Sequence, residues 1–309
     1  MNPSLATKIG KLCLKNPVMV CSGTFGYGEE FQDFIDLKKL GALVTKTVTL
    51  FPRSGNPMPR TCETPAGLLN SIGLENPGLD VFLRDKLGFL KKTGVPIILS
   101  VASQGGIDEF IKIVDAVDAV KEIGAIELNI SCPNVKPHVE KARHLISQDP
   151  QATYDLVRAV RKVTKKSLIT KLSPNVTCIG DIALAAETAG SDAVSLINTL
   201  TGMSIDVNTR KSKIAAGVAG LSGPAIRPVA VKMVWETSRA VKIPVIGMGG
   251  IMDTASALEF FIAGASAVAI GTANFINPGV SIEIIDGIKQ YLVENNMNDI
   301  SLLRGSLQL

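Results

Sequence analysis

The segment that decides the fold reads PIILSVASQGGIDEFIKIVDAVDAVKEIGAIELNIS, residues 96–131. Its two ends, 96–103 and 125–131, are short runs of β-branched and other apolar residues, which are typical of strands buried on both faces. Between them, residues 107–124 carry apolar side chains at steps of three and four, the period of a helix that packs on one face. A strand, a helix and a second strand in this order predict a parallel βαβ unit.

The same alternation continues along most of the chain. Further strand-like runs occupy 18–23, 42–49, 167–173, 193–199, 244–250 and 267–272, and helical patterns occupy 150–166 and 253–264. Asp149 before Pro150 is a typical helix start. Eight strands alternating with helices predict an α/β fold of the (β/α)8 TIM barrel type, as one domain over residues 1–309. A doubly wound open sheet is the alternative, and it is less favoured because no linker to a second domain is visible.

Two connections are too long to be simple helices. They span residues 50–80 and 200–226, are rich in Gly, Pro and Asn, and each follows a predicted strand. In a barrel, the connections that follow strands rise on the C-terminal face, where the site is built. We therefore expect long loop insertions around a site on that face.

Composition excludes several classes of protein. With 46% hydrophobic residues, 19% charged residues and a net charge of +4, the chain resembles a compact enzyme and shows no basic nucleic-acid surface. No apolar run reaches the ~18 residues of a membrane span, and the N-terminal residues lack a signal-peptide pattern, so we expect a cytoplasmic protein without membrane contact.

The cysteines and histidines give no metal-binding pattern. Five cysteines without a C-x-x-C motif predict neither an iron–sulfur cluster nor a Cys-rich zinc site. His138 and His144 are six residues apart in a loop, so no metal site is expected there. Most cysteines are buried small hydrophobes, which is the expectation for Cys13, Cys21, Cys62 and Cys178.

Polar residues gather at the ends of the predicted strands. Lys46, Asn129 and Lys171 stand in otherwise apolar strands, where an unpartnered polar group is costly to bury. Other strand ends place further polar groups on the same face: Ser22, Ser100, Cys132, Asn198 and Thr199. Together they predict a polar site at the C-terminal mouth of the barrel.

The last two strands end in glycine, in GMGG at 247–250 and AIGT at 269–272. Glycine lets a phosphate approach backbone N–H groups, and barrels often bind phosphate after strands seven and eight. The G-x-G-x-x-G pattern of a nicotinamide site is missing, because Met252 occupies its third position. A phosphate-bearing cofactor beside lysines, amides and a thiol indicates a flavin barrel.

Cys132 lies directly after a predicted strand and before Pro133. A free thiol titrates near ~8.5, so it is suited to remove a carbon-bound proton while hydride leaves to a flavin. Two other classes remain open from the residues alone. One is a Schiff-base aldolase using Lys171 or Lys46, and the other is a non-catalytic barrel that binds a phosphate ligand.

Several motifs resemble those of a known family. They are CSGTFGYGEE (21–30), KTVTLFPRSGNPMPR (46–60), NSIGLENPG (70–78), NISCPNVK (129–136), KLSPNV (171–176), NTLTGM (198–203), GLSGPAIRP (220–228) and IGMGGI (246–251). On these motifs, over about residues 5–305, the chain resembles the catalytic subunits of class 1 dihydroorotate dehydrogenases. SGNPMPR and SIGLENPG look most like the NAD-linked 1B subclass.

The resemblance implies an FMN-dependent oxidation of dihydroorotate to orotate in de novo pyrimidine biosynthesis. Cys132 would be the base that removes the C5 proton while hydride passes to FMN. Electrons would leave through a separate subunit with FAD and an iron–sulfur cluster to NAD, and the catalytic subunits would form a homodimer core. Within flavin chemistry, a fumarate-linked 1A enzyme and an enzyme of the dihydropyrimidine dehydrogenase type are the alternatives.

The resemblance also implies two sets of binding residues. For FMN they are Ser22, Lys46, Thr47, Ser100, Asn129, Lys171, Ile197, Gly223, Gly249, Gly250, Gly271 and Thr272. For the substrate they are Lys46, Asn70, Ser71, Ile72, Gly73, Leu74, Asn129, Asn134, Asn198 and Thr199. The chain departs from the family pattern in two places: Ser100 stands where Asn is common, and loop 136–150 is longer than the usual Gly-rich one.

Overall fold

Eight parallel strands close into a barrel in the computed structural model, which describes residues 2–131 and 145–309. Each predicted strand run overlaps one of these eight strands, so the predicted (β/α)8 barrel is confirmed. Four residues singled out above, Cys132, Asn134, His138 and His144, lie outside the described residues.

The described strands are numbered in chain order. They are β1 Thr7–Ile9, β2 Leu12–Leu14, β3 Val18–Val20, β4 Ala42–Val44, β5 Thr61–Thr64, β6 Gly67–Asn70, β7 Ile97–Val101, β8 Ile123–Asn129, β9 Ser167–Lys171, β10 Ala193–Leu196, β11 Leu200–Gly202, β12 Ile205–Asp206, β13 Lys211–Ser212, β14 Ala219–Ser222, β15 Val245–Gly247 and β16 Ala267–Ile270. Around the barrel the order is β3-β4-β7-β8-β9-β10-β15-β16, and β16 pairs with β3 to close it.

The described α-helices surround the barrel. They are α1 Leu79–Val81, α2 Leu87–Thr93, α3 Ile107–Asp118, α4 Pro150–Arg161, α5 Ile179–Ala189, α6 Arg227–Ala240, α7 Thr254–Ala263, α8 Ala273–Ile276 and α9 Val280–Glu294. A π-helical stretch, Phe82–Lys86, joins α1 to α2. None of the described helices is both long and apolar enough to cross a lipid bilayer.

The helix starts follow from side-chain caps. The carboxylate of Asp149 accepts hydrogen bonds from the N–H groups of Gln151 and Ala152, which confirms the predicted start of α4 at Pro150. The helix ends were predicted less well. Helix α3 ends at Asp118 and not at 124, because Ile123 already pairs with Ile97 of the neighbouring strand.

The hydrophobic core has two layers. Side chains of α3, α4 and the other helices pack against the outer face of the barrel, while mostly small and branched side chains fill its interior. Ile9 and Leu14 of the β1–β2 hairpin belong to the interior cluster, and Gly10 between them lies beside Ser167 at the start of β9. The hairpin therefore closes the N-terminal end, which leaves the C-terminal end for a site.

The two long connections form one antiparallel sheet with the order β11-β14-β6-β5. Strand β6 comes from the connection that follows β4, and β14 comes from the one that follows β10; they pair through Gly220 opposite Asn70. Residues of this sheet line the cavity at the C-terminal mouth, so the expected insertions on that face are confirmed.

Candidate active site

A cavity lies at the C-terminal mouth of the barrel, bounded by strand ends and by the antiparallel sheet. It brings together most of the residues predicted for binding: Ser22, Lys46, Thr47, Asn70, Ile72, Gly73, Leu74, Asn129, Lys171, Ile197, Asn198, Thr199, Gly223, Gly249, Gly250, Gly271 and Thr272. Residues from both halves of the chain therefore meet at one place, as a closed barrel requires.

Two of the predicted contact residues do not line this cavity. Ser100 is fully buried in β7, with its hydroxyl 3.0 Å from the Thr47 hydroxyl and 3.2 Å from Glu127. Ser71 is also buried, and its hydroxyl accepts a hydrogen bond from Asn56. Both lie behind the cavity wall, where Ser100 supports the lining residue Thr47.

A buried cation stands on the cavity wall. The side chain of Lys171 is almost fully buried; its Nζ lies 3.4 Å from the Ser22 hydroxyl and 3.9 Å from Glu127 Oε1. The strand register explains this contact: Lys171 pairs with Asn129, and Glu127 lies two residues before Asn129 on the same face of β8. The wall thus combines a positive charge with a carboxylate behind it.

Amide and hydroxyl groups form the next part of the wall. Asn129 Nδ2 donates to Thr47 Oγ1 at 3.0 Å, and Ser131 donates to Asn129 Oδ1 at 3.3 Å. Asn198 Nδ2 donates to Ser131 at 2.9 Å. These bonds hold the amides of Asn129 and Asn198 in fixed orientations, and amides both donate and accept, as recognition of a cyclic imide or amide requires.

The opposite end of the cavity is lined by backbone. Gly249 and Gly250 have φ angles of +124° and +74°, which side chains rarely adopt. A Cβ on Gly250 would lie 2.8 Å from the carbonyl oxygen of Gly223, so only glycine permits this close approach. Gly271 and Thr272 line the same region. This glycine cradle fits a phosphate group, which needs exposed backbone N–H donors.

The cysteines differ from the expectation of burial. Cys13 and Cys178 are exposed and Cys62 is partly exposed, so that expectation was wrong for these three; Cys21 lines the cavity but packs against the interior core. Burial raises the pKa of the Cys21 thiol to about 11, although Lys171 opposes the shift. Cys21 is therefore a neutral thiol at physiological pH and is poorly suited to act as a base.

Glu127 is the polar residue that the reading of strand ends missed. It lies in the middle of β8, and its side chain is only 2% exposed. It is the one acidic residue within the eight predicted strand runs, and this signal would have found it. Among residues 2–131 and 145–309, no three His, Cys, Asp or Glu side chains are grouped so as to hold a metal ion.

Comparisons with known proteins agree with this geometry. The family model described as dihydroorotate dehydrogenase matches residues 4–292. The chain is 51% identical over 308 residues to the dihydroorotate dehydrogenase B (NAD(+)) catalytic subunit of Trichlorobacter lovleyi, covering 100% of both chains. It is 51% identical over 306 residues to the protein of the same name from Thermoanaerobacter pseudethanolicus, covering 99% of each. With the one from Geobacter sulfurreducens the identity is 47% over 307 residues, again covering 99% of each. The chain therefore belongs to the dihydroorotate dehydrogenase family.

Proposed function

We propose that this chain is the FMN-binding catalytic subunit of an NAD-linked dihydroorotate dehydrogenase, a single barrel domain that oxidises dihydroorotate to orotate in de novo pyrimidine biosynthesis. Relatives that are 51% identical over nearly their full length are named dihydroorotate dehydrogenase B (NAD(+)), catalytic subunit. The observation that carries the proposal is one cavity that joins a glycine cradle, the buried cation Lys171 and the amides of Asn129 and Asn198.

The residues present fit a flavin mononucleotide. Its phosphate would lie in the glycine cradle, and Lys171 offers a positive charge to the ring system. The residues that would hold it are Ser22, Lys46, Thr47, Asn129, Lys171, Ile197, Gly223, Gly249, Gly250, Gly271 and Thr272. When bound, FMN supplies the acceptor for a hydride from the substrate. Ser100 acts indirectly in this arrangement, by bonding Thr47.

The substrate would lie between the amides and the segment that follows β6. Dihydroorotate carries ring amide groups and a carboxylate, so it requires donors, acceptors and a cation. Asn70, Asn198 and Thr199 line the cavity with polar groups, and Lys46 lines it with a cation. Ile72, Gly73 and Leu74 border the same space, with Ser71 behind them. Asn134 completes the proposed set.

Cys132 is the proposed base for the C5 proton. It follows Ser131, whose hydroxyl bonds Asn129 and Asn198. We expect the wild-type protein to be yellow and to be bleached by dihydroorotate under anaerobic conditions. The Cys132→Ser variant should keep FMN, but dihydroorotate should reduce this flavin at least about 10²-fold more slowly than in the wild type. The reason is that a hydroxyl is a far weaker base near neutral pH.

Stopped-flow absorbance of the bound flavin measures this rate. The matched control is Cys178→Ser, which removes an exposed thiol. Its flavin should be reduced at the wild-type rate. Near-wild-type reduction of Cys132→Ser at neutral pH would remove this cysteine from the mechanism. A colourless protein trapped by borohydride with a carbonyl substrate would instead favour an aldolase.

The electrons need a further acceptor. The relatives are named as catalytic subunits, and this supports a separate electron-transfer subunit, proposed to carry FAD and an iron–sulfur cluster and to deliver electrons to NAD. A homodimer core of catalytic subunits and a cytoplasmic location are part of the same proposal.

A further inference from the structure

Glu127 has no role in the chemistry described so far, yet among residues 2–131 and 145–309 it is the least exposed charged side chain. Its side chain is 2% exposed, and it accepts hydrogen bonds from Ser195 at 2.9 Å and Ser100 at 3.2 Å. The third neighbour is Lys171, with Nζ 3.9 Å from Oε1. A buried carboxylate is costly to desolvate, so its retention needs a reason beyond stability.

The carboxylate sets the direction of a chain of hydrogen bonds. Ser100 donates its single hydroxyl proton to the carboxylate of Glu127. The 3.0 Å contact between Ser100 and Thr47 then has Thr47 as its donor. Thr47 in turn accepts from Asn129, which leaves the Nδ2 of Asn129 directed toward Thr47.

The same order continues beyond Asn129. Since Nδ2 is directed to Thr47, the Oδ1 of Asn129 faces Ser131 and accepts from its hydroxyl. Ser131 accepts from Asn198 Nδ2, and Asn198 Oδ1 accepts from the N–H of Thr199. The amides of Asn129 and Asn198 are thus oriented by a chain of hydrogen bonds that ends on the buried carboxylate of Glu127.

The carboxylate of Glu127 also lies close to the ammonium group of Lys171. Lys171 is donor-only and buried, and its Nζ lies 3.4 Å from Ser22 Oγ and 3.9 Å from Glu127 Oε1. In a low-dielectric interior, a carboxylate at this distance offsets much of the positive field that the ammonium exerts on the cavity. Glu127 therefore bears on both the donor pattern and the charge of the site.

We propose that Glu127 is the positioning residue of this site: it orients the amides of Asn129 and Asn198 for the substrate through Ser100 and Thr47, and it moderates the charge of Lys171 toward the flavin. The proposal deepens the function given above and rests on it.

The first test asks whether the hydrogen bonds that run from Glu127 through Ser100 orient the amides, or whether any hydroxyl donor to Glu127 has the same effect. Ser100→Ala and Ser195→Ala each remove one hydroxyl donor from Glu127, but only Ser100 continues to Thr47 and Asn129. Calorimetric titration of the FMN-loaded proteins with orotate should show affinity at least tenfold lower for Ser100→Ala and within about threefold of wild type for Ser195→Ala. Equal losses in the two variants, or none in either, would overturn the positioning role.

The second test measures the charge. Glu127→Gln keeps the shape of the side chain and removes its negative charge, so the uncompensated ammonium should favour the reduced flavin. We expect the two-electron equilibrium constant to rise about tenfold, which is a rise of about 30 mV in midpoint potential against a reference dye. The control is Thr170→Val. Thr170 precedes Lys171 in the sequence, and the variant removes a buried hydrogen bond to Ser191 but no charge, so the midpoint potential should be unchanged. An unchanged midpoint potential in Glu127→Gln would contradict the proposed effect of Glu127 on the charge of Lys171.

The outcomes distinguish a failure of the proposed function from a failure of the role proposed for Glu127. A wild-type protein that binds neither FMN nor orotate contradicts the proposed function itself. A wild-type protein that binds both, with no difference between Ser100→Ala and Ser195→Ala, contradicts only the role of Glu127. If Glu127→Gln does not fold, the serine pair still decides whether Glu127 orients the amides.

Discussion

Lys171 is the residue on which the charge of the cavity depends. Its ammonium is almost fully buried between the Ser22 hydroxyl at 3.4 Å and the Glu127 carboxylate at 3.9 Å. A cation held so deeply is retained only where it is paired, and here it also borders the cavity. The wall is therefore arranged for a ligand that carries or develops negative charge.

Removing this cation gives a direct prediction. In Lys171→Ala the proposed FMN would lose a charged donor, and hydrogen bonds to charged groups contribute about 1.5–3 kcal/mol. We expect the dissociation constant of FMN to rise about tenfold or more, and flavin reduction by dihydroorotate to slow. Fluorescence titration with FMN measures the first effect, with the exposed Lys211→Ala as control. Unchanged affinity and rate would show that Lys171 has no electrostatic role.

Cys21 allows a test of the electrostatics without any variant. Burial raises the pKa of its thiol to about 11, so only about 0.1% is thiolate near pH 8. Cys13 and Cys178 are exposed. In a timed reaction with iodoacetamide followed by peptide mass spectrometry, these two should be modified first, and Cys21 should gain reactivity only as the pH approaches about 11. Modification of Cys21 at the rate of Cys178 near pH 8 would contradict the raised pKa.

At the scale of elements, the barrel strands were predictable because they are buried on both faces. Each appears in the sequence as a continuous apolar run, as in SLITKLS at 167–173, which contains β9. The cap of α4 was also predictable, since Asp149 and Pro150 form a local signal. Local and periodic features were therefore open to prediction from the sequence.

Features that depend on contacts between distant parts of the chain could not be predicted from the sequence in this way. The sheet β11-β14-β6-β5 joins strands about 150 residues apart, and Gly67, Gly202 and Gly220 weaken the strand pattern of its members. Ser100 was expected at the cavity because it ends a strand, but the structure buries it against Glu127. Which neighbour a polar side chain meets depends on register around the barrel, and one sequence does not specify that register.

Helix α7 provides a prediction at this scale. The carboxylate of Asp253 accepts from Ser256 N at 2.8 Å, and Ser256 Oγ accepts from the N–H of Asp253, so the first turn has a reciprocal cap. Asp253→Ala should cost about 1 kcal/mol of stability near neutral pH. Denaturant unfolding measures this, and Asp286→Ala, on the exposed face of α9, is the control.

The pH dependence of this cost has a definite sign. The hydrogen bonds from Ser256 hold the pKa of Asp253 below its ordinary value of 3.8. The stabilisation is therefore complete above pH 3.8 and is lost as the pH falls through the lower pKa of the folded state. The difference between wild type and Asp253→Ala should close in that acidic range. A difference that persists below it would show that the carboxylate charge is not the cause.

At the scale of the whole molecule, the two ends of the barrel have separate tasks. The β1–β2 hairpin closes the N-terminal end, and its Ile9 and Leu14 belong to the interior core. The antiparallel sheet borders the cavity at the other end, where Phe275 lines the opening and is 57% exposed. The cavity therefore lies at one end of the barrel, and we expect the proposed electron-transfer subunit to approach that end.

This arrangement leads to a prediction about the complete reaction. The sequence lacks the glycine pattern of a nicotinamide site, and the relatives are named as catalytic subunits of NAD-linked enzymes. Purified alone and without oxygen, the chain should oxidise dihydroorotate with an artificial dye as acceptor but form NADH only when its electron-transfer subunit is added. Absorbance of NADH measures this, and dye reduction by the same sample shows that the flavin is active. NADH formation by the chain alone would remove the need for a partner, whereas turnover with fumarate would assign the enzyme to the 1A subclass, because the electrons would then leave to a small acid at the same cavity.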